Sequence, residues 1–599
     1  MAVAPSSPSF VLSGQVARLW QSLPPRRRTQ FVLLTVVMVV ASIAEVFSIG
    51  AVLPFLGVLI DPQSVFEHRY AQPLIQALDL REARGLLLPL TVAFSLAALF
   101  AGAMRLLLLF LTTRLSFAAG ADLSIEAYRR TLHQPYAIHA GRNSSQVIST
   151  IMGKTSMVIY GVLVPLVTLA GSLFLLCMIL ATLVLIDPRV ALGSFFGFGL
   201  IYGLVVGLTR RRLAANSAHI SREQGNVLKA LQEGMGGIRD ILLDGSQATY
   251  CRIYQAADLQ LRRAQGNNVF IGASPRFGTE ALGMVLIAAL AYWLARDSAT
   301  IAGAIPVLGA LALGAQRLLP VLQQCYVSWA SIKGSQASLE DTLALLEQPM
   351  PPVAEGLAEG ESLPFQQSIE LRQLSFQYQL DSAPVLQGLD LAIRRGERLG
   401  IIGSTGSGKS TLLDIVMGLL RPTAGALLVD GQEISDGCLA AWQRHIAHVP
   451  QAIYLADTSI AENVAFGVPK ARIDMARVRD AIRQAQLTEM VEALPGQYEA
   501  FVGERGVKLS GGQRQRIGIA RALYKQADVI VFDEATSALD NETERAVMES
   551  IGRLSPDLTI LLIAHRLSTL QDCDRIIELK DGAVVASGTY ESMVLARQA

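Results

Sequence analysis

The sequence lacks several features that would point to other classes of protein. Its five cysteines are far apart and none is spaced as Cys-x-x-Cys, so we expect neither a disulfide framework nor a zinc site. The 51 basic and 50 acidic residues leave a net charge of +1, which gives no support to nucleic-acid binding through a basic surface. No cleavable signal pattern is present, because three arginines at 26–28 are followed by an apolar run too long for a signal peptide.

Apolar sequence, in contrast, is abundant. Hydrophobic residues make up 51% of the chain and the mean hydropathy is +0.39, which indicates membrane spans. A span needs about 20 apolar residues to cross a hydrocarbon core of about 30 Å. Six segments meet this requirement, near 31–58, 86–112, 158–185, 189–208, 278–296 and 300–322.

The charges between these segments predict their orientation. The polar stretches between spans two and three and between spans four and five carry an excess of arginine and lysine, whereas residues 61–85 mix both signs. The positive-inside rule therefore places both termini and both long stretches in the cytoplasm and 61–85 outside.

The composition changes after residue 346. Residues 347–367 are rich in proline and glutamate and read as a linker. Residues 368–599 alternate short β-branched runs with helical patterns, which is typical of a parallel α/β domain. The sequence thus predicts a transmembrane domain over 1–346, as a bundle of six helices, and an α/β P-loop domain over 368–599.

A phosphate-binding loop follows the strand-like run 398–402. Its glycines allow backbone N–H groups to surround phosphate oxygens at the start of a helix, whose dipole favours negative charge. In such a loop the lysine reaches the β- and γ-phosphates and the following serine binds Mg²⁺. The pattern GxxxxGK[ST] is complete in Gly403, Ser404, Thr405, Gly406, Ser407, Gly408, Lys409 and Ser410, with Thr411 next in the predicted helix.

Two adjacent carboxylates end a second buried strand at 528–532. Asp533 is placed to hold the Mg²⁺ shell, and Glu534 to orient or deprotonate an attacking water. Taken alone, such a pair could instead cap a helix. Together with the phosphate loop it predicts hydrolysis of a nucleoside triphosphate.

The sequence Leu509-Ser510-Gly511-Gly512-Gln513 resembles the signature of the ABC ATPases. The resemblance implies ATP and Mg²⁺ as cofactors, and it implies that the signature of one chain completes the phosphate loop of a second, so the simplest assembly is a homodimer. It also implies roles for further residues: Gln451 contacts Mg²⁺ and water, Tyr378 stacks on adenine, Asp540 lies at the dimer contact, and His565 holds the γ-phosphate.

Six spans fused in front of one ATPase domain resemble the exporter class of ABC transporters, which implies a location in the bacterial inner membrane with the ATPase domain in the cytoplasm. The stretches 128–130 and 135–145 resemble bacterial flippases of lipid-linked oligosaccharides, and this implies a polyprenyl-pyrophosphate glycan as substrate. Export of phospholipid, lipid A or hydrophobic drugs is the alternative. A non-transporting channel or receptor is an alternative from another class, and the intact Glu534, Gln513 and His565 argue against it.

Charged residues inside the spans are candidates for substrate contact, because an intramembrane charge is costly. Three are singled out: Glu45, Arg105 and Arg317. A structural reading stays open for each, since the arginines could extend to the interface and Glu45 could pair with Arg105.

Overall fold

The computed structural model divides into two compact units, residues 1–134 with 142–349, and residues 135–141 with 350–599. For some residues within helices and strands the structure describes the backbone but not the side chain, and residues 301–317 are among them. The residues described are 8–60, 62–67, 72–77, 80–186, 188–297, 301–350, 363–379, 382–535, 540–552, 556–564 and 566–594.

The chain up to residue 349 is helical wherever it forms regular structure among the described residues. The α-helices are α1 Pro8–Ser22, α2 Pro25–Gly50, α3 Val52–Ile60, α4 Pro62–Phe66, α5 Gln72–Ala77, α6 Leu87–Leu132, α7 Tyr136–Ala140, α8 Ser144–Ile148, α9 Thr155–Val158, α10 Val164–Ile186, α11 Pro188–Gly236, α12 Ile238–Leu243, α13 Gln247–Ala273, α14 Pro275–Asp297, α15 Ile301–Gly334 and α16 Gln336–Leu346. The predicted spans fall in α2, α6, α10, α11, α14 and α15. A 3₁₀ turn, Ala83–Leu86, precedes α6.

Three helical stretches of the described residues are long and apolar enough to cross a membrane by themselves. They are Pro25–Ser48, Ala83–Leu132 and Ser144–Thr182. The first predicted span differs in one respect from the sequence prediction: the helix ends at Gly50 and a second one, α3, begins at Val52. Short helices α4 and α5 follow within the predicted external segment 61–85.

Helices α2 and α6 pack against each other in opposite directions. Arg27 near the start of α2 pairs with Asp122 near the end of α6, with 2.7 Å between Nε and Oδ2. Glu45 near the end of α2 pairs with Arg105 of α6. These two ion pairs are 17 or 18 residues apart along each helix, about 26 Å at 1.5 Å per residue.

The helix that leads into the third span contains two wide, π-helical turns. They are Ser149–Lys154 and Ile159–Leu163, on either side of α9. Each contains a glycine against which a neighbouring helix packs closely. A β-carbon at Gly153 would overlap Gln224 of α11, and one at Gly161 would overlap Ser335.

The N-terminal helix α1 was not anticipated from the sequence. Arg18 of α1 forms ion pairs with Glu340 and Glu347, at 3.0 Å and 2.6 Å. Its hydrogen bond with Arg18 holds the pKa of the Glu347 carboxyl below its usual range, and burial opposes this only in part. The start of the first unit is thus bound to its last helix, α16, and to the residue that follows it.

The second unit is built on two sheets. Its strands are β1 Ser368–Phe376, β2 Leu386–Arg394, β3 Arg398–Ile402, β4 Ala424–Val429, β5 Gln432–Glu433, β6 Ile446–Val449, β7 Val529–Asp533, β8 Thr559–Ile563, β9 Arg575–Lys580 and β10 Ala583–Gly588. The larger sheet has the order β10-β9-β3-β8-β7-β6, and β9, β3, β8, β7 and β6 are mutually parallel. The smaller, antiparallel sheet has the order β2-β1-β4-β5.

Helices of this unit pack on the larger sheet around a buried apolar core that includes Phe532 and Trp442. The helices are α17 Lys409–Val416, α18 Asp436–Arg444, α19 Ile460–Val464, α20 Met475–Gln484, α21 Thr488–Ala493, α22 Gly511–Lys525, α23 Asn541–Gly552 and α24 Tyr590–Met593. Short 3₁₀ turns lie at Lys470–Arg472, Gln497–Glu499, Glu504–Gly506 and Leu567–Leu570.

The short helix α7 belongs to the second unit although the sequence places it between two helices of the first. The glycines and polar caps in the stretches 135–145 and 234–240 predict short helices there, as candidate contacts with the ATPase domain. Helices α7, α8 and α12 confirm the short helices.

Candidate nucleotide-binding site

The site is assembled at one edge of the larger sheet. The carboxyl ends of neighbouring parallel strands meet at one edge, where ligands of such sheets bind. The phosphate loop follows β3, Asp533 ends β7, and Gln451 lies two residues after β6. His565 comes two residues after β8 in sequence, and it lies outside the described residues.

The phosphate loop connects β3 to α17 through glycines in backbone conformations that disfavour side chains. The φ angles of Gly403, Gly406 and Gly408 are +153°, +83° and +100°. A β-carbon at Gly403 would overlap the carbonyl oxygen of Leu579. Because only glycine allows this path, the backbone can curl tightly ahead of the start of α17.

Polar groups of the loop are positioned to receive a phosphate. Lys409 Nζ donates to the carbonyl oxygens of Gly403 and Ser404, at 2.8 Å and 2.9 Å, so the ammonium lies against the loop. Ser407 is 3% exposed and its hydroxyl has no hydrogen-bond partner among the described residues. The glycine-formed cradle and this hydroxyl fit a bound phosphate chain.

The catalytic candidates are joined by a hydrogen bond. Gln451 Nε2 donates to Glu534 Oε2 at 2.6 Å. Glu534 has a φ of +53°, a conformation that is uncommon for a residue with a side chain. Its backbone N–H donates to Ile563 O at 3.0 Å. Strain of this kind clusters at functional sites, and here it sets the direction in which the Glu534 side chain leaves the end of β7.

Negative charge is concentrated next to the loop. Burial raises the pKa of Asp414, on α17, and the charge of Asp533 adds to this effect, so that the pKa is about 6. A divalent cation would relieve this repulsion. Ser410 and Asp533 are the oxygen donors that would hold Mg²⁺ there, which is the ligand type that this ion prefers.

Tyr378 lies beside the same helix. Its hydroxyl is 3.1 Å from Thr411 Oγ1, and its ring, 57% exposed, meets Phe376 edge to face at 5.0 Å. An exposed ring at this place can stack on a base.

The signature turn forms the start of α22. Ser510 is the N-cap: its hydroxyl accepts from Gln513 N at 3.2 Å, and Gln513 Oε1 accepts from Ser510 N at 2.9 Å. Ser510 and Gly511 are exposed, and Gly512 is half-buried. Within the part of the chain that the structure describes, no hydrogen bond joins this turn to the phosphate loop of the same chain.

Asp540, predicted at a dimer contact, caps helix α23. Its carboxylate accepts from Thr543 N at 2.9 Å and from Thr543 Oγ1 at 2.8 Å. These bonds hold the pKa of Asp540 below its usual range.

Tyr136 on α7 is a residue of the site that the sequence did not single out. Burial raises the pKa of its hydroxyl, and the charges of Asp414 and Tyr378 raise it further. The side chain therefore lies in the electrostatic environment of the phosphate-loop helix. The only signal in the sequence was the short stretch between Pro135 and Gly141.

Two of the three substrate candidates are held together within the first unit. Arg105 Nε donates to Glu45 Oε2 at 2.6 Å. The Glu45 side chain is 5% exposed and that of Arg105 is 56% exposed, so the pair has one buried and one accessible partner. The side chain of Arg317 lies outside the described residues.

Comparison with known families matches both parts of the chain. Residues 30–297 match the family described as ABC transporter transmembrane region, and residues 386–537 match the family described as ABC transporter. A solved structure described as a bacterial Atm1-family ABC exporter with ATP bound has a TM-score of 0.78, covers 96% of this chain and 99% of its own, and is 22% identical. The fold is therefore that of an exporter.

Similar curated proteins are named ATP-dependent lipid A-core flippases. The one from Chromohalobacter salexigens is 37% identical over 66% of this chain and 67% of its own length. The one from Ralstonia nicotianae is 31% identical over 79% of each chain. The one from Cupriavidus metallidurans is 29% identical over 97% of this chain and 94% of its own.

Proposed function

The chain belongs to the ABC transporter family, as a fusion of the transmembrane region and the ATPase domain, and on that premise we propose that it flips a phosphorylated glycolipid of the lipid A-core class across the inner membrane. It is an ATP-hydrolysing exporter, embedded by several spans in that membrane with its ATPase domain in the cytoplasm. The observation that carries the substrate is the similarity, along 66% to 97% of this chain, to proteins named lipid A-core flippases. These relatives favour the alternative substrate, lipid A, over the lipid-linked oligosaccharide.

The site residues have different roles in ATP hydrolysis. Lys409 and the loop backbone bind the phosphates, and Glu534 orients and deprotonates the attacking water. Gln451, bonded to Glu534 in the structure, would contact water and Mg²⁺ when nucleotide is bound. Ser410 and Asp533 would hold Mg²⁺, which would neutralise phosphate charge, and His565 would contact the γ-phosphate.

The working unit is a homodimer. The signature turn at Ser510 is exposed and makes no described hydrogen bond to its own phosphate loop, which leaves it available to a second chain. Two ATP molecules then join two ATPase domains, and hydrolysis releases them. The Glu45–Arg105 pair offers a half-exposed guanidinium inside the membrane, which is suited to a phosphate of the transported lipid.

Flipping by the full chain in proteoliposomes tests the proposal. A fluorescent lipid A-core lipid should move between leaflets with ATP, and a fluorescent polyprenyl-pyrophosphate glycan should not. Glu534→Gln should lower both flipping and ATP turnover at least about 100-fold, the lower range for loss of a general base. Glu489→Gln, which removes an exposed carboxylate elsewhere in the unit, is the matched control.

The other outcomes are equally informative. Movement of the polyprenyl glycan alone would contradict the proposed substrate and restore the oligosaccharide reading. ATP turnover with neither lipid moving would exclude both. Retained turnover in Glu534→Gln would contradict the assignment of the base.

A further inference from the structure

An apolar groove runs between α2 and α6 at their cytoplasmic ends. It has a volume of about 600 Å³, within the range of about 300–1,000 Å³ usual for ligand pockets. Leu33, Val37, Leu111 and Leu115 contribute to its walls, and Arg27 and Arg114 lie at the groove as well. We call it the α2–α6 groove.

The two arginines differ in their partners. Arg27 is bound to Asp122 at 2.7 Å and to Gln30 at 2.9 Å. Arg114 is exposed and forms no hydrogen bond or ion pair with the residues that the structure describes, while its guanidinium lies 5.6 Å from the Phe110 ring centroid. With Asp122 counted against the two arginines, the groove carries a net charge of +1.

Depth places this charge at the inner edge of the hydrocarbon. Arg114 is eight residues before Asp122 on α6. At 1.5 Å per residue it lies about 12 Å closer to the membrane centre than Asp122. Arg27 lies just before the predicted start of the first span at 31. An arginine at this depth can extend toward the phosphates of the cytoplasmic leaflet, and basic pockets between membrane helices on this side bind anionic head groups.

We propose that the α2–α6 groove binds one anionic glycerophospholipid of the cytoplasmic leaflet, of the phosphatidylglycerol class. The lipid phosphate accepts hydrogen bonds from Arg114, and an acyl chain lies along Leu33, Val37 and Leu111. This lipid is a bound component of the transporter and not its cargo. The inference does not depend on the identity of the transported lipid.

Charge decides the class of lipid. A guanidinium forms charge-assisted hydrogen bonds with phosphate, and Arg114 has no protein carboxylate among the described residues to satisfy it. A zwitterionic lipid offers the same phosphate together with a cation that would repel the net positive groove. An anionic head group forms the hydrogen bonds with Arg114 and is also attracted by the net positive charge of the groove.

Native mass spectrometry of the full chain tests the groove, with phosphatidylglycerol and phosphatidylcholine titrated separately. We expect wild type to bind phosphatidylglycerol more tightly than phosphatidylcholine, and Arg114→Gln to weaken phosphatidylglycerol about fivefold, the effect of about 1 kcal/mol for one cation near the surface. Phosphatidylcholine binding should stay unchanged. Arg26→Gln removes a cation at the same membrane surface but outside the groove, and it should retain wild-type binding.

A second variant tests the apolar part. Leu33 is 61% exposed, so Leu33→Trp adds bulk to the groove without opening the core, and it should weaken both lipids. A photo-reactive amino acid at position 33 should crosslink to phospholipid in membranes. Equal phosphatidylglycerol affinity in Arg114→Gln and wild type would overturn the proposal, as would an equal loss in Arg26→Gln or a crosslink from position 33 to a second copy of the chain.

Discussion

At the scale of single residues, two cysteines differ sharply in environment. Burial, with smaller contributions from the charges of Asp574 and Asp572, raises the pKa of the Cys573 thiol to about 12. Cys251 is exposed on α13. At pH 8 the thiolate fraction of Cys573 is therefore about 10⁻⁴, and the thiolate is the reactive form.

We expect N-ethylmaleimide at pH 8 to modify Cys251 at least about 100-fold faster than Cys573. Peptide mass spectrometry over time measures both rates in one sample. Modification of Cys573 should accelerate as the pH rises, because more thiolate forms, and should match Cys251 in urea. Equal rates in the folded protein would contradict the burial of Cys573.

At the scale of elements, two helices begin with the same capping box. Ser510 and Gln513 start α22, and Ser459 and Glu462 start α19. Loss of such a cap costs about 1 kcal/mol of stability. Both Ser510→Ala and Ser459→Ala should therefore lower the free energy of unfolding by similar amounts.

ATP turnover should differ between the two capping variants. Ser510→Ala should lower turnover at least about tenfold, since loss of one donor to a transition-state oxyanion costs more than 1.4 kcal/mol. Ser459→Ala should retain it at temperatures where the domain is folded. Parallel steady-state ATPase and thermal unfolding assays measure this, and equal turnover in the two variants would assign Ser510 to capping alone.

The wide turn at Ile159–Leu163 makes a further prediction for an element. Gly161→Ala places a β-carbon against Ser335, whereas Gly199→Ala on α11 meets no atom within 4 Å. Overpacking costs about 1–3 kcal/mol, so Gly161→Ala should lower Tm by about 2–6 °C. Gly199→Ala should leave Tm unchanged or slightly raised, because alanine favours helix. Equal Tm values in a detergent-solubilised thermal shift assay would contradict the tight packing.

At the scale of the whole molecule, a site shared between chains can be tested by mixing. Lys409→Ala disables the phosphate loop and Ser510→Ala the signature turn, so each homodimer should be nearly inactive. In a mixed dimer one site combines both intact elements. Random assembly should restore about a quarter of the sites, because half of the dimers are mixed and each has one good site of two.

Co-expression with two different affinity tags isolates the mixed dimer for an ATPase assay. No recovery above the two homodimers would contradict a site shared between chains. A sample mixed only after purification, where chains do not exchange, should show no recovery and serves as the control.

The sequence could predict those features that are determined by residues close together in the chain. The path through Gly403, Gly406 and Gly408 and the strand before Asp533 follow from short motifs, so the phosphate loop and its sheet edge were predictable. The possible Glu45–Arg105 tie was also anticipated, because two opposite charges lie inside predicted spans. Such features need only the spacing of neighbouring residues or elements.

Other features depend on packing across long sequence separations. The bond from Gln451 to Glu534 crosses 83 residues, and the wide turns at Gly153 and Gly161 exist because distant helices approach there. The place of α7 in the second unit depends on packing with residues 350–599. The docking of α1 onto α16 likewise has no local signal.

The docking of α1 onto α16 must wait during synthesis of the chain. Arg18 and its partner Glu347 are 329 residues apart, and a ribosome needs roughly 20 to 60 s to make this length at about 5–20 residues per second. For that interval α1 is finished but its partner does not yet exist. Helix α1 therefore forms this ion pair only after the chain has been made as far as Glu347.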